Sequence, residues 1–98
     1  MYIVSLHYTA TLERIDDALP AHRNWLDAQF EGGNFIAAGP KMPRDGGVIL
    51  ASHMPRERLD ALLATDPFAQ QGLAGYDITE FKATRLASGL NLPRPETP

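Results

Sequence analysis

The chain has 98 residues, no cysteine, a net charge of −3 and an isoelectric point near 5.5. That length makes one domain, and the acidic balance excludes nucleic acid and anionic membrane surfaces, whose phosphates need clustered Lys and Arg that are missing here. Without cysteine there is no disulfide framework, thiolate metal site or thiol nucleophile. Met1 to Leu6 lacks a basic leader region, and no apolar run reaches membrane-spanning length, so a soluble, cytoplasmic protein is expected.

Tyr2 to Thr9 alternates, which predicts a first strand with Val4 and Leu6 toward the helices and Ser5 and His7 toward a cleft or a partner subunit. A proline inside a helix costs roughly 3 kcal/mol, so the main helix is expected from Pro20 to Phe30, stopped by Gly32-Gly33. Trp25 lies just off its apolar stripe, as a core or interface anchor. Asn34 to Ala38 and Val48 to His53 read as the second and third strands, joined by a long loop from Lys41 to Gly47. Pro55 opens a second helix with Leu59, Leu62 and Leu63 on its stripe. It should end at Asp66, because the residue before a proline is pushed out of the α region. Tyr76 to Ala83 completes the set as a fourth strand.

The order βαββαβ predicts a ferredoxin-like α+β fold, a four-stranded antiparallel sheet with both helices on one face. The bare face would leave apolar area in water, so a homodimer is expected. Residues 1–87 form the single domain. Residues 88–98 are a proline-rich tail without periodicity.

Two residues beside prolines are candidates for chemistry. Asp66, before Pro67, is on the plainest reading the N-cap of a new helical turn, with its carboxylate accepting orphan N–H groups. His22 falls on an apolar stripe, where a histidine is ordinarily a hydrogen-bonded core residue. With Pro20 at the first helical position, however, the helix dipole would keep the ring neutral, as a general base requires, and a carboxylate partner would orient it. The two helices of this topology run antiparallel, which brings the start of the first to the end of the second and so His22 to Asp66. Lys41 and Arg44 are loop charges that could hold a substrate carboxylate or phenolate. His7, His22 and His53 are too dispersed to suggest a metal site.

The succession Pro20-Ala21-His22, Glu31 to Pro40, Pro43 to Ala51, Asp66-Pro67-Phe68, Gly72 and Gly75-Tyr76 resembles the YCII-related (YciI-like) family over about residues 1–87. The resemblance implies a dimeric α+β barrel with His22 and Asp66 as its active-site pair. Some relatives are dehydrochlorinases of chlorinated hydroxyquinols, and more distant barrels include lactone isomerases and small monooxygenases. The expected function is cofactor-independent proton transfer, an elimination or isomerisation on a small aromatic or lactone-like molecule. His22 and Asp66 would be catalytic, with Ser5, His7 and Arg44 lining the substrate site and no metal or cofactor. The alternative is a non-catalytic ligand-binding or assembly domain on the same fold.

Overall fold

Strand β1 (Tyr2–Tyr8) lies inside the sheet, and its alternation separates the two faces. Tyr2, Val4 and Leu6 are buried, while Ile3 and His7 are exposed. β3 (Gly46–Ala51) and β4 (Ala74–Glu80) pair antiparallel with β1 on either side, and β2 (Phe35–Pro40) pairs with β3. The order β2-β3-β1-β4 is that of a ferredoxin-like α+β sheet. A register shift between Phe35 and Ala37 marks a bulge at Ile36, which keeps Phe35 in the core beside Ala51. This computed structural model describes residues 1–89; the proline-rich tail lies, from residue 90 on, outside the described residues.

Helix α1 (Leu12–Glu31) starts well before Pro20, contrary to the sequence expectation. Thr11 is its N-cap, with Oγ1 accepting from the Arg14 N–H at 3.4 Å, and Pro20 sits in the interior. The reason is tertiary. Ile15 and Ala18 are buried with His22 along one helix face, and burying an isoleucine contributes about 1.5–3 kcal/mol, comparable to the proline penalty of about 3 kcal/mol. His22 is therefore a mid-helix residue, and the helix dipole has no special hold on its ring.

The second helical segment is split in two, α2 (Arg56–Leu63) and the single turn α3 (Pro67–Gln70). Asp66 makes the break. Its backbone is extended ahead of Pro67, its N–H donates to the Leu63 carbonyl at 3.1 Å, and its side chain begins the next turn. All three helices lie on the Val4/Leu6 face, where Ile15, Leu59, Leu63 and Phe68 complete the core. Among the described residues no helix is long and apolar enough to cross a membrane.

Candidate active site

The break between α2 and α3 places Asp66 against the middle of α1. Two successive contacts tie the elements together. Trp25 donates its indole N–H to Thr65 Oγ1 at 2.8 Å, and one helical turn earlier His22 Nδ1 meets Asp66 Oδ1 at 2.7 Å. The pair spans 44 sequence positions and is almost wholly buried, with His22 8% and Asp66 0% exposed. Phe68 lies parallel to the imidazole, with ring centroids 3.9 Å apart and planes 5° apart, which fixes the ring plane.

Asp66 serves three donors. Oδ1 accepts from His22 Nδ1 and from the Phe68 backbone N–H at 3.0 Å, and Oδ2 accepts from the Tyr76 hydroxyl at 2.6 Å. The cap and the histidine partner, alternatives from sequence, are thus one carboxylate. An ionised Asp66 that accepts at both oxygens makes His22 Nδ1 the donor, so in a neutral imidazole the lone pair is on Nε2. Among the described residues Nε2 makes no hydrogen bond, and His22 lines a cavity of about 170 Å³ between α1 and the sheet.

Tyr76 went unrecognised from sequence as part of this site. It stands opposite Leu6 on the inward face of β4, and a tyrosine there needs a partner for its hydroxyl; the strand pattern alone could not say which. Burial, reinforced by the Asp66 carboxylate, pushes its phenol well above the ordinary tyrosine value. A group whose folded pKa is raised stabilises fully below its unfolded pKa, and that contribution is lost as pH rises toward the folded value. Tyr76→Phe should therefore cost about 1–3 kcal/mol at neutral pH, since it strips a donor from a buried carboxylate. Urea unfolding of both proteins should show the gap narrowing above about pH 10, the unfolded phenol's pKa. A pH-independent gap would mean that the hydroxyl contributes only through packing.

The other expected site residues divide. Arg44 lines the cavity and is held by Asp16, which accepts from Nη2 at 2.5 Å. Ser5 and His7 do not line it. They alternate with Leu6 and Tyr8, which do, so strand geometry points them to the opposite face, away from the cavity where they were expected. There His7 lies 3.7 Å from Asp77 and covers Gly75, where an added Cβ would collide with the His7 ring. Arg23, not anticipated as a site residue, lines the cavity beside His22. No group of three or more His, Cys, Asp or Glu side chains is placed to hold a metal ion among the described residues.

A pre-oriented imidazole with a free nitrogen facing a cavity can accept a proton from a bound molecule, and the buried carboxylate behind it can balance the resulting charge.

Among solved structures the fold is similar to 5-chloro-2-hydroxyhydroquinone dehydrochlorinase from Burkholderia phenoliruptrix AC1100, in complex with 2,5-dihydroxybenzoquinone. The TM-score is 0.70 at 16% sequence identity, covering 84% of this chain and 94% of that one, a likeness of fold. Comparison with curated proteins yields no match. The family description that matches is the YCII-related domain, over residues 1–82, and the chain belongs to that family.

Proposed function

We propose that the protein is a cofactor-independent enzyme in which His22, oriented by Asp66, moves a proton on a single-ring aromatic or lactone-like substrate. The observation that carries this reading is the unengaged Nε2 of a histidine whose other nitrogen is held at 2.7 Å by a fully buried carboxylate. The cavity supports the size class: about 170 Å³ is close to the roughly 150 Å³ that encloses one benzene ring.

The step balances without an oxidant. A hydroxylated ring first takes its keto form, in which one hydroxyl proton has moved to the chlorine-bearing carbon and made it tetrahedral. Nε2 then takes the proton of a second, conjugated hydroxyl, the O–H electron pair becomes a carbonyl, the ring double bond shifts, and chloride departs with its bonding pair from the tetrahedral carbon to leave a quinone. The sum is loss of H⁺ and the anion. In an isomerisation the same nitrogen would remove a proton next to a carbonyl and return it one position along. Asp66 stabilises the imidazolium in either case. The fold neighbour's named activity, dehydrochlorination of a hydroxylated ring, belongs to the first class.

The test is a thermal-shift screen of phenols, chlorinated hydroquinols and lactones, followed by chloride release or product absorbance on the compounds that bind. Binding with turnover is the expected result. Binding of ring compounds without turnover by any of them would favour a non-catalytic binding domain, for which Asp66 already has a structural use as the cap of α3.

The same proposal includes a second copy of the chain. On or continuing the face opposite the helices, Ile3 is 42%, Val48 40% and Phe81 37% exposed, an apolar surface that a monomer would leave in water. Sedimentation should give a dimer at micromolar concentration, and a compact monomer would contradict it.

A further inference from the structure

We infer that the cavity is built for an anion, a ring carrying a carboxylate or a phenolate oxygen, clamped by Arg23 and Arg44. This deepens the proposed reaction, resting on it for the reacting group but not for the charge.

The inference starts from a mismatch of sign. The chain as a whole is acidic, with 12 Asp and Glu against 9 Lys and Arg. Yet among the described residues no Asp or Glu lines the cavity, and its lining includes two arginines. The walls between them and His22 are apolar, chiefly Leu6, Leu19, Leu26 and Phe68. Apolar walls keep water from screening the two charges, so an anion inside feels them more strongly than at an open surface.

The two arginines are differently prepared. Arg44 is held from outside the cavity: Asp16 takes one guanidinium N–H and is not itself a lining residue. A guanidinium has five N–H donors in a fixed plane, so this bond orients Arg44 and leaves donors for a ligand. The Arg23 side chain makes no hydrogen bond or ion pair among the described residues, and it follows His22 directly on α1. An anion bound between them would lie close to the imidazole, and a carboxylate or phenolate could hold the ring with its reacting atom toward Nε2. A neutral ring of the same shape would fill the apolar walls but leave Arg23 without a partner and Arg44 with Asp16 alone.

The test uses the full chain and two ligands of nearly equal shape, benzoate and benzamide, titrated by NMR with the His22 ring signals as reporter. Benzoate should bind about 10–100-fold more tightly than benzamide, the range of a hydrogen bond to a charged group, and this preference should shrink as salt is added. Arg23→Gln and Arg44→Gln should each weaken benzoate about 10-fold and leave benzamide unchanged, which also shows that the variants are folded. Equal affinity of the two ligands, a benzoate preference that survives the double variant, or no saturable binding of either at millimolar concentration would overturn the inference. His22→Ala, titrated through the ligands' own ring signals because the reporter is gone, separates the two readings: the preference for benzoate should persist there although turnover is gone. An anion preference in a protein that turns nothing over would sink the proposed reaction and leave the anion site standing.

Discussion

His22→Ala is expected to abolish turnover of any substrate the cavity accepts while leaving the fold in place. A positioned general base contributes about 10²–10⁴-fold, and in a reaction whose only proton acceptor is removed the residual rate falls to that of the bound substrate in water. The structural cost is smaller. The change removes a ring stacked on Phe68 and one of three donors to Asp66, but the Phe68 N–H and the Tyr76 hydroxyl still serve the carboxylate. A loss of about 1–3 kcal/mol is expected against a total stability of about 5–15 kcal/mol, so the variant should be folded at room temperature. Urea unfolding and steady-state kinetics on the same preparation separate the two effects. If the rate falls only in proportion to the unfolded fraction, His22 is a core histidine and the enzyme reading fails.

How far the molecule was legible from its residues depends on which interactions were local. The alternation of Tyr2, Val4 and Leu6 set the inward face of β1, and the Asp66-Pro67 step set the break after α2, because both are decided within a few residues. The meeting of His22 with Asp66 was expected from antiparallel helices with His22 at the start of the first, whereas it occurs at the middle of α1, where the break after α2 sets Asp66. The start of α1 was misread. A local rule, the proline penalty, was weighed without the burial of Ile15 and Ala18, which becomes visible only when the helix is packed on the sheet. Ser5 and His7 lie on the expected face of the strand, which is not the face that lines the cavity, because the cavity opens on the Leu6/Tyr8 side. Tyr76 was missed since its hydroxyl's partner lies across a turn whose shape no periodicity describes.

Asp66→Asn is the sharper test of the pair, because the new side chain has almost the same shape but lacks one acceptor. Three donors converge on the two carboxylate oxygens, and an asparagine offers one oxygen and one NH₂ group. If the amide oxygen stays with His22 and Phe68, the NH₂ group faces Tyr76, whose hydroxyl must turn from donor to acceptor and lose its own partner. If the amide is reversed, its NH₂ group faces His22 Nδ1, the imidazole takes the other tautomer, and Nε2 presents N–H to the cavity instead of a lone pair. Either orientation leaves a donor beside a fully buried side chain without an acceptor, the part-buried Tyr76 hydroxyl or the buried Phe68 N–H, so stability should fall by about 1–3 kcal/mol. Turnover should fall by about 10²–10⁴-fold, toward the upper figure for the reversed amide, since a donor at Nε2 cannot accept the substrate proton. The NMR signature of the imidazole nitrogens tells the orientations apart: protonation at Nε2 in the variant, against Nδ1 in the parent, identifies the reversed amide. Full activity of Asp66→Asn on a verified substrate would show that the carboxylate only caps α3, and His22 would then lack the group that orients it.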